Sequence, residues 1–232
     1  MSAVIEYAPL LWQGLLTTIL VAVLSGALCL VVAFAAGLAR LSSHRIISWP
    51  AGVFIEVFRG TSLLVQMFWL FFALPFFGIQ LHPLTAAVLA LGLNEGAYAA
   101  EVVRGAIASR AKGQTEACIA LGMEPALRLR RIIIPQSIPA MLPPFGNVMV
   151  DLLKNTSLVS LVTVADLTFR AQMIRSSTGQ TTAIFITILV MYFVLSYLLT
   201  LLTSWLERRY ALDRKALAAQ RKESQLMKVG AA

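Results

Sequence analysis

Five long apolar runs dominate the sequence and limit the folds that it can adopt. They cover approximately Leu10–Ala39, Ile46–Pro75, Leu84–Ile107, Pro144–Val164 and Thr181–Leu206. Runs of this length are rare in the core of a water-soluble protein, whereas a helix that crosses a bilayer needs about 20 mostly apolar residues. Only 13% of the 232 residues are charged, against about 25% in an average soluble domain. The sequence therefore predicts an all-α polytopic membrane protein with about five transmembrane helices.

The basic residues predict how these helices are oriented. They collect in the loop at 40–45, in the segment 109–139 and in the C-terminal tail, whereas the opposite loops keep only Arg170 and Arg175. Because lysine and arginine are enriched in cytoplasmic loops, we predict an outside N-terminus and an inside C-terminus. This topology accounts for the net charge of +8, so we expect the lipid bilayer as a partner and no nucleic acid.

Two charged residues interrupt the second apolar run. Glu56 and Arg59 are three residues apart, so they can meet on one helix face. Counting about 1.5 Å per residue from Trp49 places Arg59 roughly 15 Å deep, near the middle of the bilayer. A charge at that depth is costly unless it is paired or faces water. The two residues therefore form either a neutralised pair that fixes helix packing or part of a solute pathway.

The third run carries a polar stripe. Asn94, Tyr98 and Glu101 follow the spacing i, i+4, i+7, which places them on one helix face. Glu95 lies beside the stripe, and Glu101 can pair with Arg104. Polar residues on a membrane helix must face protein or water. The stripe therefore lines a translocation cavity or belongs to a buried structural network.

The fourth run repeats this arrangement. Asn147, Asp151 and Lys154 again follow the spacing i, i+4, i+7, and Asn155 is adjacent. Asp151 can neutralise Lys154, which lies about ten residues into the run and therefore roughly 15 Å deep. A charged pair at that depth usually marks function in a membrane protein. By contrast, neither the two cysteines nor the two histidines have the spacing of a metal site.

We call residues 109–139 the elbow. They are predicted to form two short helices joined by a tight corner. The first helix is predicted at Glu116–Leu121 and stops at Gly122, a residue that suits the position after a helix C-terminus. Pro125 then starts a second helix, Pro125–Ile134, and the prolines that follow are predicted to end it. Such a compact element is longer than most connectors, so we predict that it docks on a cytosolic partner.

The elbow resembles the signature of ATP-binding-cassette (ABC) importer permeases, E-A-A-x3-G-x9-I-x-L-P. The matching residues are Glu116, Ala117, Gly122, Ile132 and Pro135, with Cys118 and Ile134 as the two departures. Nearly the whole chain is similar to the polar amino-acid branch of that family, through residues 14–19, 56–66, 96–107 and 142–168. That branch usually has proline where Ser62 stands. The stretches LGLNEGAYAAEVVRGAI and ADLTFRAQ look like ectoine and hydroxyectoine permeases.

The resemblance implies a type I ABC importer permease fold in the cytoplasmic (inner) membrane of a bacterium. Residues 1–208 would form one permease domain, and 209–232 a basic cytosolic tail. Such permeases work with a pair of ATPase subunits, a second permease, identical or paralogous, and an extracytoplasmic solute-binding protein. The residues expected to couple to the ATPase are Glu116, Ala117, Gly122, Glu124, Ile132 and Pro135. The chain lacks the G-x4-G-K-[ST] phosphate cradle, so we expect no enzymatic activity, with ATP and magnesium bound by the ATPase.

The resemblance also implies a small polar zwitterion, an amino acid or an ectoine-like solute, as the transported substrate. The residues predicted to line its path are Asn94, Glu95, Tyr98, Glu101, Asp151, Lys154 and Asn155. Alternatively, Glu101–Arg104 and Asp151–Lys154 are structural pairs, and neutral groups contact the solute. Two other functions remain open: an ATP-independent secondary transporter of a small polar solute, a class that often shows internal repeats that are not found here, and a membrane scaffold.

Overall fold

The computed structural model describes the backbone of residues 6–229 and the side chains of residues 6–210. Within this range the chain is helical without strands, which confirms the all-α prediction. The helices are α1 (Ala8–Arg40), α2 (Arg45–Gly60), α3 (Leu63–Phe68), α4 (Pro83–Ala108), α5 (Lys112–Ala120), α6 (Pro125–Arg128), α7 (Ile134–Asn155), α8 (Leu167–Thr178) and α9 (Thr181–Val229). The predicted basic tail, 209–232, lies largely outside the described side chains.

Five candidate membrane spans emerge from these helices. The helices α1 and α4 and the part of α9 at Thr181–Tyr210 are each long and apolar enough to cross a membrane. The other two candidates are bent pairs: Arg45–Gly60 with Leu63–Phe77, which meet at 103°, and Pro125–Val162 with Leu167–Thr178, which meet at 52°. The predicted number of spans therefore agrees with the structure if each bent pair is one span.

Small residues allow α1 and α4 to pack closely along their length. A Cβ atom at Gly37 of α1 would lie 2.7 Å from the Ala100 carbonyl oxygen and 2.9 Å from the Val103 Cβ. A Cβ at Gly92 of α4 would lie 2.6 Å from the Leu28 Cδ2. Small residues stand four positions apart in both helices, at Ala33 and Gly37 of α1 and at Gly92 and Gly96 of α4, and such patterns mark faces on which membrane helices pack closely.

The substitution Gly37→Ala is expected to lower stability by about 1–3 kcal/mol, because the added methyl group overpacks the α1–α4 contact. The matched control is Gly105→Ala in α4, where an added Cβ meets no described atom within 4 Å. Thermal unfolding in mild detergent checks the pair. A lower melting temperature is expected for Gly37→Ala and an unchanged or slightly higher one for Gly105→Ala; equal melting temperatures would contradict the packing argument.

The second predicted span, Ile46–Pro75, is not one continuous helix. The second span breaks after Gly60, where Thr61 adopts an extended backbone with φ −118° and ψ 151°. The chain then resumes as α3, followed by a π-helical turn at Trp69–Ala73 and a 3-10 turn at Leu74–Phe77. An interruption of this kind in a membrane requires that the freed backbone groups find other partners.

Side chains of the broken span provide those partners. The Thr61 hydroxyl donates to the Val57 carbonyl at 2.7 Å. The Gln66 Nε2 donates to the Phe58 carbonyl at 2.9 Å and to the Thr61 Oγ1 at 2.7 Å. These hydrogen bonds close the end of α2 and connect it to α3 across the bend.

The helix of the fourth predicted span begins well before Pro144. A continuous helical path begins at α6, passes through a π-helical turn at Leu129–Ile133 into α7, and ends with a 3-10 turn at Thr156–Val162. Pro135 comes just after the π-helical turn, as the second residue of α7. Pro139 lies inside α7, since membrane helices tolerate proline when neighbouring groups satisfy the freed carbonyl. These two residues therefore do not end the second elbow helix.

The first half of the elbow follows the prediction with different bounds. The helix α5 begins at Lys112, one turn before the predicted Glu116. Gly122 has φ +70°, and the Met123 N–H donates to the Cys118 carbonyl at 3.0 Å, as in a helix that ends on a left-handed glycine. The predicted glycine corner is therefore confirmed.

The polar segment Asp166–Gln180, which carries Arg170 and Arg175 and lies between the fourth and fifth apolar runs, is not a loop but contains the helix α8. The Asp166 carboxylate caps this helix by accepting from the N–H groups of Thr168 at 3.1 Å and Phe169 at 2.9 Å. Gly179 has φ +70° and follows its last turn. An acidic N-cap and a glycine after the C-terminus are ordinary helix signals, and the polar composition obscured them.

Candidate translocation cavity and elbow

A cavity of about 420 Å³ lies between the α2–α3 break, α4 and α7. Six of the seven predicted pathway residues line it: Asn94, Glu95, Tyr98, Asp151, Lys154 and Asn155. The seventh, Glu101, does not line it, and its Oε2 instead pairs with the Arg104 Nη2 at 2.7 Å. The fold thus brings together residues that are up to 61 positions apart in the sequence, from Asn94 to Asn155.

The polar stripe of α4 holds the broken end of α2. The Asn94 Nδ2 donates to the Phe58 carbonyl at 2.8 Å and to the Gln66 Oε1 at 3.1 Å. The Tyr98 hydroxyl donates to the Arg59 carbonyl at 3.2 Å. Asn94 and Tyr98 thus form the structural network that was one of the two alternatives for the stripe, because they satisfy backbone groups that the break leaves free, and they also line the cavity.

Glu95 is a buried carboxylate without a charged hydrogen-bond partner among the described side chains. It is 5% exposed, and its Oε1 accepts from the Asn155 Nδ2 at 2.8 Å. The described salt bridges are Glu101–Arg104 and Asp151–Lys154. A carboxylate in this position can bind a cationic group that enters the cavity, since a buried charge is strongly stabilised by an opposite charge.

The second charged pair lies in the last turn of α7. The Lys154 Nζ and the Asp151 Oδ1 are 3.5 Å apart, which confirms the predicted pairing. The side chains are 59% exposed for Lys154 and 62% for Asp151. Because ion pairs are unstable against hydrocarbon, this face of the chain is suited to water or to another protein rather than to lipid.

Of the two alternatives for Glu56 and Arg59, the neutralised pair is not formed in the structure. The Arg59 guanidinium lies 5.4 Å from the centre of the Tyr98 ring, and Glu56 takes no part in the described salt bridges. The helix ends at Gly60, one residue after Arg59; the Tyr98 hydroxyl donates to the Arg59 carbonyl, and the Tyr98 ring offers a cation–π contact to the Arg59 guanidinium. A tertiary contact therefore replaces the local pair that the spacing suggested.

The structure adds residues to the cavity that the sequence analysis did not place there. Thr61 and Ser62 line it from the break, and Val148 lines it from α7. Gln66 supports the same wall through Asn94. The signal for the break was present in the sequence, because a glycine followed by polar residues interrupts an otherwise apolar run.

The elbow has an exposed half and an anchored half. Its exposed predicted coupling residues are Glu116, Ala117, Gly122, Glu124 and Pro135. A Cβ at Gly122 would meet no described atom within 4 Å. Ile132 is half-buried and packs against the core cluster that contains the buried Ile133. The second half of the elbow thus fixes the segment to the membrane helices, while the first half is presented to the surroundings.

Comparison with known proteins places this architecture in a family. Residues 30–212 match the family described as binding-protein-dependent transport system inner membrane component. The chain belongs to this family. It is a translocation subunit of an ABC importer in the inner membrane, and ATP hydrolysis is carried out by a separate subunit. This assignment favours the permease function over an ATP-independent secondary transporter.

Individual relatives agree with the family assignment. The permease is 46% identical to the probable amino-acid ABC transporter permease protein y4tF of Sinorhizobium fredii, over 79% of this chain and 80% of the relative. It is 39% identical to the L-cystine transport system permease protein TcyB of Bacillus subtilis, over 90% and 89% of the two chains. The solved structure of an amino acid ABC transporter with histidines matches with a TM-score of 0.82 and 38% identity, over 88% of this chain and 96% of the other. The predicted type I permease fold is thereby confirmed.

Proposed function

We propose that this permease imports a small polar zwitterion, an amino acid or an ectoine-like solute, through the cavity between the α2–α3 break, α4 and α7. The observation that carries the proposal is the set of charges in this cavity: the buried Glu95 and the ion pair Asp151–Lys154. A volume of about 420 Å³ is in the range of small-molecule sites. The relatives named for amino-acid and L-cystine transport support the same class of solute.

The two ends of a zwitterion find opposite partners in this cavity. Glu95 binds the cationic group of the solute, and Asn155 holds the Glu95 carboxylate in place. Lys154 binds the solute carboxylate, since its pairing with Asp151 at 3.5 Å is loose enough to be shared. Glu101 has no role in this proposal, because its bidentate contact with Arg104 is outside the cavity.

A second permease subunit, identical or paralogous, covers the open side of the cavity. The support is the exposure of polar residues on this side: Tyr98 is 42% exposed, Lys154 59% and Asp151 62%. A lone chain would present these groups to lipid at a high cost. A pair of subunits instead encloses the pathway between them, and an extracytoplasmic binding protein delivers the solute to it.

The elbow couples the permease to a pair of ATPase subunits, which bind ATP and magnesium. Its exposed half, with Glu116, Ala117, Gly122 and Glu124, inserts into a cleft on the ATPase. Closure of the ATPases on ATP moves the elbows together and switches the pathway between inward-facing and outward-facing states. The anchored half, through Ile132 and Pro135, transfers this motion to α7.

Reconstitution in liposomes tests the proposed function. The permease is co-expressed with its ATPase and partner permease, purified, and supplied with the binding protein. Uptake of radiolabelled L-glutamine, L-cystine, L-histidine and ectoine is then measured with and without ATP inside the liposomes. We expect ATP-dependent import of at least one of these zwitterions. Equal uptake with and without ATP would contradict the proposal and favour a secondary transporter.

A further inference from the structure

A set of hydrogen bonds at the base of the elbow has no part in the cavity. Arg110 lies in the short connection between α4 and α5 and is half-buried. Its Nε donates to the Ala106 carbonyl at 3.2 Å, its Nη1 to the Gln136 carbonyl at 3.1 Å and its Nη2 to the Ser109 Oγ at 3.3 Å. A single side chain thus joins the last turn of α4 to the first turn of α7.

A second link connects the first elbow helix to the same turn. The Gln136 Nε2 donates to the Gln114 Oε1 at 3.2 Å, so α5 is tied to α7. We call Arg110, Gln114 and Gln136 the elbow clasp. The clasp brings together three elements: α4 and α7, which form opposite walls of the cavity, and α5, which carries the exposed residues Glu116 and Ala117.

On the side that faces the loop after α1, the elbow borders an open space. A space of about 700 Å³ separates it from the loop after α1, with Ser42 and Ser43 on one side and Thr115 and Leu129 on the other. Along the chain, α5 connects to α7 only through the Gly122 corner, the single turn of α6 and a π-helical turn. A movement of α5 can therefore reach α4 and α7, which wall the cavity, through the hydrogen bonds of the clasp.

We propose that Arg110 is the positioning residue that makes α4, α5 and α7 move as one body when the ATPases close. The planar guanidinium suits this task, because its separated N–H groups reach acceptors on two helices at once. The proposal rests on the proposed function, since it concerns how the elbow transmits ATP-driven motion. Without the clasp, the ATPase would still bind the elbow and hydrolyse ATP, but the displacement of α5 would be lost before it reached the cavity.

The test measures solute imported per ATP hydrolysed in liposomes, with whichever of radiolabelled L-glutamine, L-cystine or ectoine the wild-type complex imports. For Arg110→Ala we expect normal co-purification of the ATPase and at least about a fivefold loss of import per ATP, within the range of coupling effects. The conservative variant Arg110→Lys keeps the charge but has a single donor nitrogen, so we expect a smaller loss. The control Arg45→Ala removes one charge from an exposed residue at the start of α2, outside the elbow, and should change import per ATP by less than about twofold.

A cross-link separates transmission from general stability. In the Arg110→Ala background, Gln114→Cys and Gln136→Cys are joined by a short bifunctional maleimide, and we expect import per ATP to recover. Unchanged import per ATP in Arg110→Ala would overturn the proposal, as would loss of the ATPase from a folded complex, which would assign Arg110 to docking. If Arg110→Ala aggregates, Arg110→Gln decides by the same measurement. Absence of ATP-dependent import by the wild-type complex would instead reject the proposed function, and the clasp with it.

Discussion

Replacement of Gly122 with tryptophan is expected to remove the ATPase from the purified complex. Gly122 has φ +70°, a conformation that costs about 1–2 kcal/mol for most other residues. The space around it is open within the described chain, so the indole ring would not disturb the permease itself. It would project from the corner of the elbow into the cleft that receives it. Pull-down of the ATPase with a tagged permease, extracted in mild detergent, measures the effect.

The chain contains a matched control for this substitution. Gly179 has the same φ of +70° at the end of α8, and a Cβ there also meets no described atom within 4 Å. Gly179→Trp therefore brings the same backbone strain and the same ring, away from the elbow. We expect it to retain the ATPase. Retention of the ATPase by Gly122→Trp, or its loss from both variants, would contradict the docking role of the elbow.

The substitution Glu95→Gln is expected to lower the initial rate of solute import by at least about 30-fold, because loss of one partner from a buried charge pair typically costs about 2–5 kcal/mol. Glutamine keeps the size of the side chain and can still accept a hydrogen bond from Asn155. The change therefore removes the charge and little else. Folding and ATPase binding are expected to stay at wild-type levels, and liposome uptake assays measure the rate.

The control for Glu95→Gln lies on the same helix. Glu101→Gln makes the identical chemical change six residues further along α4, at a carboxylate that pairs with Arg104 outside the cavity. Since this pair is partly exposed, its loss should cost about 1 kcal/mol or less in stability. We expect uptake within about twofold of the wild type. A similar loss in both variants would show that α4 responds to any change of charge rather than to the loss of a solute contact.

Local features of the sequence predicted most of the fold and part of the cavity lining correctly. The Asp151–Lys154 and Glu101–Arg104 pairs follow from a three-residue spacing on a helix, which brings two side chains within reach of each other when no tertiary contact engages one of them. The corner at Gly122 follows in the same way from the preference of glycine for positive φ. These predictions were correct because neighbours in the chain decide them.

The errors concern residues whose partners are distant in sequence. Arg59 can reach Glu56 by its spacing, but it lies over Tyr98, which is 39 positions away. The break after Gly60 is held in part by Asn94, which binds the Phe58 carbonyl from another helix. In both cases a tertiary contact adds to or replaces the local preference. At Pro139, by contrast, α7 simply continues past the proline, which membrane helices tolerate more often than soluble ones.

The bend between α2 and α3 also has a consequence for biosynthesis. A chain that enters the membrane from its N-terminus inserts α2 and α3 before α4, yet the Phe58 carbonyl at the bend receives a hydrogen bond from Asn94 of α4. Proline, which is usual in the related branch at the position of Ser62, would restrict the backbone there as soon as it is synthesised. In this chain Thr61 and Gln66 hold the bend first, and Asn94 completes its hydrogen bonds only when α4 arrives. The first three membrane-crossing segments are therefore expected to reach full protection from proteases together rather than one by one.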